Sequence, residues 1–202
     1  MKIAILGAAG RTGRLAVEYA LASGHDVIAV GRQGATLGKH GRLSIVQGDA
    51  TDRSIVEMAV TGADAVLSAL GQTGKGHLIC STAIGHVLSL GVERIVTISG
   101  AGLDVPGDMK RPLDRLFGFL VKTLSSSAFN DKVAEFASLN RSASQWTVVR
   151  PPRLLDGSSG ADIRVSLERP LGTQIVRADL ARFCIEAIEK GSYIRQAPFV
   201  SN

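Results

Sequence analysis

The sequence predicts an α/β protein, with a doubly wound parallel sheet and a small C-terminal cap. Three features of the chain lead to this fold. Short, almost wholly apolar segments recur along the first 150 residues, and segments with helical periodicity separate them. A glycine-rich turn follows the first apolar segment at once. Strands without apolar–polar alternation indicate a parallel sheet that helices cover on both faces.

Six strands account for the apolar segments of the first 150 residues. They are expected at residues 2–6, 26–30, 43–47, 64–70, 94–99 and 145–150. Helices between them are expected at residues 12–23, 54–60, 78–90 and 130–139. This alternation of strands and helices is typical of Rossmann-like sheets, whose crossover connections are right-handed.

The last fifty residues follow a different pattern. Pro151 and Pro152 end the sixth strand, because proline cannot donate to a strand ladder. Further elements are expected as strands at 163–166, 174–176 and 197–201 and a helix at 179–189. No long linker is visible, so we expect a single domain over residues 1–202. Its core is expected at residues 1–150, and residues 151–202 are expected to close a ligand cleft.

Composition argues against several classes of protein. The chain has 202 residues, of which 45% are hydrophobic and 20% charged, as in a globular protein that buries its own core. Its two cysteines, Cys80 and Cys184, lie far apart, which argues against a disulfide scaffold. The four histidines show no metal-ligand spacing, so no metal site is expected.

The net charge of +5 is compatible with nucleic acid, an acidic membrane or an anionic small molecule. Aromatic residues make up only 4% and no run of Lys or Arg exceeds two, which argues against nucleic acid. No apolar run approaches 18 residues and no signal-peptide pattern is present, so no membrane partner is expected and the expected location is cytoplasmic.

The glycine-rich turn has the pattern G-x-x-G-x-x-G over residues 7–13. Such a turn needs glycine because it is tight, approaches a pyrophosphate with its backbone, and packs closely on the next helix. The first amides of that helix then face the phosphates. A dinucleotide is therefore expected to contact Gly7, Ala9, Gly10, Arg11, Thr12 and Gly13. The alternative is a turn with a structural role only.

The end of the second strand distinguishes the two nicotinamide cofactors. An acidic residue there binds the ribose 2′-hydroxyl of NADH, but this strand ends in Val30-Gly31-Arg32, and Asp26 lies at its start. A guanidinium suits a 2′-phosphate, because it binds two oxygens at once. Arg32 therefore predicts NADP(H), and Arg11 can reach the same region. The alternative is an ordinary surface arginine.

Other residues follow the strands at the edge where open α/β sheets bind ligands. Asp49 and Ala50 follow the third strand, and Asp49 can accept from an adenine amino group. Its alternative role is a helix N-cap, for which Asp52 is equally suited. Leu70 and Gly71 follow the fourth strand and are expected along the ribose, and Ser99 ends the fifth.

These motifs, together with TISGAG, VVRPPRLL and RADLARF, make the whole chain resemble the atypical short-chain dehydrogenase/reductases. It is most similar to their NAD(P)H-binding, NmrA-like branch, which includes flavin and biliverdin reductases. The resemblance implies a Rossmann domain with a short C-terminal substrate portion, and NADPH as hydride donor. The acceptor classes that it implies are flavins, quinones and tetrapyrroles.

The resemblance also implies roles for individual residues. Ser99 falls near the nicotinamide, Lys132 beside the cofactor, and Pro151, Pro152 and Arg153 over the nicotinamide. Biliverdin-reducing relatives have a histidine at the last position, so Arg153 disfavours a tetrapyrrole. Ser99 and Lys132 are the candidate catalytic residues, with cofactor positioning as the alternative.

The Tyr-x-x-x-Lys pair of ordinary short-chain dehydrogenases is missing. Ser23 and Ala197 lie four residues after the two tyrosines, Tyr19 and Tyr193. This argues against ketone reduction and favours a flavin, quinone or similar conjugated acceptor, which delocalises charge. The expected function is therefore an NADPH-dependent oxidoreductase. The alternatives are a non-catalytic NADP(H) redox sensor and an NADP-binding epimerase or lyase.

Two further segments are not explained by these motifs. Residues 113–124 are apolar and helical in pattern and could cover the cleft or contact a second subunit, so a monomer and a homodimer both remain open. His77 is expected in a loop that faces the cleft.

Overall fold

A six-stranded parallel sheet forms the centre of the computed structural model, which describes residues 1–32, 37–71, 78–111 and 126–202. Its strands are β1 (Lys2–Leu6), β2 (Asp26–Gly31), β3 (Leu43–Gln47), β4 (Ala65–Ser68), β5 (Arg94–Ile98) and β6 (Gln145–Val149). Their spatial order is β3-β2-β1-β4-β5-β6, and every pair is parallel. The predicted doubly wound, Rossmann-like sheet is thereby confirmed.

Helices cover both faces of this sheet. They are α1 (Arg11–Ala22), α2 (Arg53–Val60), α3 (Ile79–Ser89), α4 (Ser126–Arg141) and α5 (Arg177–Glu189). One face packs against α1 and α5, which contact each other, and the other packs against α2, α3 and α4. Neighbouring strand residues point to opposite faces, so Leu67 is buried under α1 and α5, and Val66 under α2 and α3.

Two predicted elements differ most in length from the structure. The helix predicted at 130–139 spans Ser126–Arg141. The prediction was shorter because serine and asparagine have low helix propensity, but they do not prevent a helix that packs against its neighbours. The strand predicted at 64–70 is only Ala65–Ser68, and the residues after it turn into the cleft described below.

The C-terminal part adds four short strands, β7 (Arg153–Leu155), β8 (Arg164–Ser166), β9 (Gln174–Val176) and β10 (Phe199–Ser201). β7 pairs with β9 in parallel, and β8 pairs with β10 in an antiparallel ladder. β7 was not expected directly after Pro152. The division of the chain at residue 150 stays a prediction.

Within the described ranges, no helix is long and apolar enough to cross a membrane. No group of three or more His, Cys, Asp or Glu residues there is placed to hold a metal ion. The apolar stretch 113–124 and His77 lie outside the described residues.

Candidate functional site

A cleft of about 900 Å³ opens at the carboxyl edge of the sheet, where residues following β1 to β5 come together. The predicted site residues that line it are Gly7, Ala9, Gly10, Arg11, Thr12, Arg32, Asp49, Ala50, Leu70, Gly71, Ser99 and Lys132. This volume is in the range of small-molecule and cofactor sites. The fold therefore gathers into one cavity residues that are far apart along the chain.

Four predicted residues are not among the described residues that line the cleft. Gly13 lies in the first turn of α1, under the glycine turn. Pro151 is buried, and its carbonyl accepts from the Ala101 amide at 2.8 Å. Pro152 is half-buried, and Arg153 is exposed at the start of β7. Their predicted cofactor contacts remain predictions.

The glycine turn allows a very close approach of helix to strand. Gly7 has φ +79°, in the left-handed region that favours glycine. A Cβ atom at Gly13 would lie only 2.1 Å from the Gly7 carbonyl oxygen. These two positions therefore need glycine for the turn itself to form.

The same turn leaves the start of α1 suited to an anion. The N-cap, Gly10, has no side chain, and no acidic residue lies in the first turn. Helix N-termini carry unsatisfied amides and a partial positive charge, which a phosphate can neutralise. The turn and the cavity above it thus fit a pyrophosphate.

The charge of the cleft also fits a phosphorylated dinucleotide. Its described lining residues include four basic ones (Arg11, Arg32, Lys132 and Arg177) and one acidic one, Asp49. Hydrogen bonds from the Thr51 amide and hydroxyl, at 2.9 and 2.8 Å, lower the pKa of Asp49. Asp49 is therefore an ionised acceptor near neutral pH. The N-cap of α2 is Asp52, which accepts from the Ser54 amide.

Lys132 is held by a buried polar chain. Its Nζ lies 2.8 Å from Glu135 Oε2, and Glu135 is 1% exposed. The Thr97 hydroxyl donates to the other carboxylate oxygen at 2.7 Å. Burial alone would lower the pKa of Lys132, but the charge of Glu135 and its hydrogen bond outweigh it and raise that pKa. The ammonium group is therefore fixed and protonated where α4 meets the cleft.

Ser99 presents a different kind of group to the cleft. Its Oγ is buried and has no hydrogen-bond partner among the described residues. A buried hydroxyl without a partner is costly, so this atom fits a polar ligand group. Among the described lining residues from the end of β5 and from α4, Ser99 has an unpaired hydroxyl and Lys132 an ion-paired ammonium group.

The N-terminus of α3 is capped by a residue of α4. Asp131 is fully buried and accepts from the Cys80 and Ser81 amides at 2.8 and 2.9 Å, and from the Ser81 hydroxyl. Burial raises the pKa of the Cys80 thiol to about 12, so this cysteine is a neutral donor to the Leu70 carbonyl. Asp131 and Cys80 thus hold the wall of the cleft in place.

Among the described lining residues, Ile79, Ile98, Leu154 and Arg177 were not predicted from the sequence. Leu154 lies in β7, which was not predicted, and Arg177 is the first residue of α5, which was expected to begin at residue 179. Arg177 is the first residue of the RADLARF motif. A charged residue directly after a predicted strand was the one local signal that it belongs to the site. Its partner, Asp156, is adjacent only in three dimensions.

The two tyrosines both belong to the described part of the chain, and neither lines the cleft. Tyr19 donates to Glu186 Oε1 at 3.3 Å, between α1 and α5. Tyr193 packs against Phe183, with ring centroids 5.5 Å apart. Both side chains therefore serve the packing of α5.

A family model described as NAD(P)H-binding matches residues 7–191, from the glycine turn to just beyond α5. The chain belongs to this NAD(P)H-binding family. Binding of a nicotinamide dinucleotide, NAD(H) or NADP(H), is confirmed by this membership. The expected resemblance to short-chain dehydrogenase/reductases is confirmed at the level of the fold.

Solved structures share the fold of this family member over its full length. ChuY, an anaerobillin reductase from Escherichia coli O157:H7, has a TM-score of 0.82 and 23% identity, and the match covers 100% of this chain and 97% of ChuY. A proposed NADH-flavin reductase from Streptococcus pneumoniae has a TM-score of 0.81, 24% identity and coverages of 100% and 99%. A short-chain dehydrogenase/reductase from Veillonella parvula, in complex with NADP, has a TM-score of 0.80, 19% identity and coverages of 100% and 94%.

Proposed function

We propose that this protein is an NADPH-dependent reductase that transfers hydride to a flavin, a quinone or a similar conjugated small molecule. One observation carries the proposal. The cleft combines a glycine turn for a pyrophosphate with a fixed ammonium group, Lys132, and a buried unpaired hydroxyl, Ser99. This arrangement suits a cofactor that lies along the sheet edge and an acceptor beside it.

Arg32 supports NADPH as the preferred donor. It follows β2 directly and lines the cleft, while the acidic residue of that strand, Asp26, is at the opposite end. A 2′-phosphate beside Arg32 would gain charge-assisted hydrogen bonds that a 2′-hydroxyl does not form. The preference for NADPH over NADH follows from this difference.

The bound nicotinamide supplies the hydride, and the residues of the chain supply orientation and charge. Lys132 places a positive charge where negative charge develops on the acceptor during reduction, and Glu135 keeps its Nζ in position. Ser99 Oγ is placed to donate to a carbonyl of the acceptor or of the nicotinamide amide. The proton that completes the reduction comes from water, because a conjugated acceptor is stable as an anion after hydride transfer.

The structural relatives support reduction as the reaction class. ChuY is named an anaerobillin reductase and the Streptococcus pneumoniae protein a proposed NADH-flavin reductase. Both names describe reductases of this fold. The exposed position of Arg153 and the absence of tyrosine from the described lining agree with a permissive site that lacks a dedicated phenolic proton donor.

The second candidate function is an NADP(H)-binding redox sensor without catalysis. The observation that favours it is the position of Tyr19 and Tyr193 away from the cleft, since an ordinary short-chain dehydrogenase places a tyrosine beside its substrate. A sensor needs the phosphate-binding part of the cleft but has no use for a fixed ammonium group beside an open acceptor position.

The two functions are separated by following NADPH absorbance with FMN, riboflavin, a soluble quinone and a redox dye. A reductase oxidises NADPH only when an acceptor is present. Lys132→Met should lower the turnover number more than the affinity for NADPH, while the exposed matched variant Lys39→Met should behave as wild type. Tight NADPH binding without turnover of any acceptor would contradict the reductase and favour the sensor.

A further inference from the structure

Two arginines meet one carboxylate at the mouth of the cleft. Arg177 Nη1 lies 2.7 Å from Asp156 Oδ1, and Arg11 Nη1 lies 3.6 Å from Asp156 Oδ2. Arg11 and Arg177 both line the cleft, whereas Asp156 is not among the described lining residues. The carboxylate therefore bridges two cations that face the cavity.

The three side chains differ strongly in burial. The Arg177 side chain is 9% exposed, while those of Asp156 and Arg11 are 69% and 72% exposed. A buried guanidinium needs an anionic partner, because its desolvation is otherwise uncompensated. Asp156 follows β7 at the surface and can leave this position at little cost, provided that another anion takes its place.

The backbone adds to the positive potential between the two arginines. Arg11 is the first residue of α1 and Arg177 the first residue of α5, and the two helices pack against each other. The N-terminus of α1, whose first turn has no acidic residue, adds a partial positive charge to this region, whereas the buried Asp179 in the first turn of α5 offsets the charge of that helix end. Arg32 follows β2 and belongs to the part of the cleft next to Asp49.

We propose that Arg11 and Arg177 form a second phosphate subsite, apart from the one at Arg32, and that the Asp156 carboxylate occupies it when no ligand is bound. A phosphate or pyrophosphate group would replace Asp156 and keep Arg177 paired. The group can come from the cofactor pyrophosphate or from an acceptor that carries phosphate, such as FMN. The second source rests on the proposed reductase function, and the first does not.

The test removes the charge of Asp156 and measures binding, so it does not require turnover. Asp156→Asn keeps the shape of the side chain and removes the competing anion. If the cofactor supplies the group, isothermal titration with NAD⁺, which has a pyrophosphate but no 2′-phosphate, should show tighter binding by roughly three- to tenfold, since tenfold corresponds to about 1.4 kcal/mol. Binding of 2′-AMP, which has only the 2′-phosphate, should not change.

The acceptor arm uses FMN and riboflavin, which differ by a single phosphate. If the subsite serves the acceptor, Asp156→Asn lowers the KM for FMN and leaves that for riboflavin unchanged, and NAD⁺ binding stays as in wild type. If it serves the cofactor, NAD⁺ binding tightens and FMN and riboflavin respond alike. A chain that binds NAD⁺ more tightly but reduces neither flavin would keep the subsite and contradict the reductase.

Three variants serve as controls. Asp162→Asn removes another exposed carboxylate of the same segment and should change nothing. Arg11→Gln, at an exposed side chain, should weaken NAD⁺ or FMN binding by about tenfold and reduce the gain from Asp156→Asn in the double variant. Arg177→Lys keeps the buried positive charge but cannot form the bidentate hydrogen bonds of a guanidinium, so it should also weaken binding of the phosphate ligand. Unchanged affinity for every phosphate ligand in Asp156→Asn, or an equal gain for riboflavin and 2′-AMP, would overturn the proposal.

Discussion

Arg32 is the residue on which the cofactor preference depends, because it follows β2 at the position that contacts the 2′-substituent of the ribose. Arg32→Asp should weaken NADPH binding at least about tenfold, through the loss of charge-assisted hydrogen bonds, and should leave NADH binding close to wild type. Fluorescence titration with both cofactors measures the ratio. Lys39→Asp makes the same charge change at a nearby exposed residue and is the control. Equal loss for NADPH and NADH in Arg32→Asp would refute the assignment.

Glu135 controls the charge of Lys132 from beneath the cleft. Glu135→Gln should lower the pKa of Lys132, because burial then acts without the neighbouring carboxylate that outweighs it. A raised lysine pKa keeps the ammonium charged up to higher pH, so in the variant the alkaline loss of activity should begin at lower pH. The pH profile of the turnover number measures this shift. Thr97→Val removes a hydrogen bond to Glu135 but keeps its charge, and should shift the profile less.

At the scale of single elements, the first turn of α1 packs so closely on Gly7 that there is no room for a side chain at Gly13. Gly13→Ala would place a Cβ 2.1 Å from the Gly7 carbonyl oxygen, so α1 must move away from β1. We expect lower thermal stability and loss of NADPH binding. Gly85→Ala is the matched control, since Gly85 lies inside α3 and, among the described residues, no atom beyond its chain neighbours and the backbone of its own helix lies within 4 Å of the added Cβ. It should stabilise the protein by up to about 1 kcal/mol, because alanine is the better helix former.

The start of α3 depends on a carboxylate from another helix, Asp131 of α4. Asp131→Ala should cost about 1–2 kcal/mol of unfolding free energy, as for the loss of a helix cap. Burial opposes the charged form of Asp131, but the hydrogen bonds from Ser81 and Cys80 prevail, so its folded pKa lies below the ordinary value of 3.8. Its stabilisation is therefore complete above that value and is lost as pH falls through the lower folded pKa.

Urea unfolding between pH 2 and pH 7 tests this prediction. The wild type should lose more stability on acidification than Asp131→Asn, whose amide does not titrate in this range. If the unfolding free energies of the two proteins fell in parallel as the pH is lowered, the Asp131 cap would make no contribution to the acid sensitivity.

At the scale of the whole molecule, a buried ion pair joins the end of β6, the loop after β5 and the C-terminal strand. Arg150 is 1% exposed, forms two hydrogen bonds to Asp108 at 2.7 and 2.9 Å, and lies 3.7 Å from the centroid of the Phe199 ring. Lys110, also buried, donates to the Leu103 carbonyl beside this pair. The pair therefore fixes a loop next to Ser99 on the carboxyl edge of the sheet.

Breaking this pair from one side should destabilise the protein strongly. Arg150→Met leaves the Asp108 carboxylate buried without its main partner, and we expect a loss of about 3–5 kcal/mol. The double variant Arg150→Met/Asp108→Leu removes both charges and should be more stable than Arg150→Met. Denaturant unfolding of the wild type, the single variants Arg150→Met and Asp108→Leu, and the double variant gives the coupling energy. Additive losses would show that the two side chains act independently.

Much of the sheet could be predicted from the sequence, because apolar periodicity is a local property of the chain. β1 and β3 occur at the predicted residues, and β2, β5 and β6 differ by one residue at one end. β7 was missed because prolines precede it and it has three residues, too few to show a period. The start of α4 was missed because serine and asparagine are weak helix formers, and packing against α3 compensates for this.

The sequence by itself determined the fold class, the position of the glycine turn and the residues that follow the strands at the carboxyl edge of the sheet. These depend on residue spacing, which local sterics and the hydrophobic effect convert into strands, helices and turns. Only the tertiary structure decided which charges meet. Asp131 contacts Cys80 across 51 residues, Glu135 accepts from Thr97 across 38 residues, and Asp156 bridges Arg11 and Arg177. The physical reason is that a buried charge takes its partner from whichever element packs against it, and sheet order and helix packing determine that element.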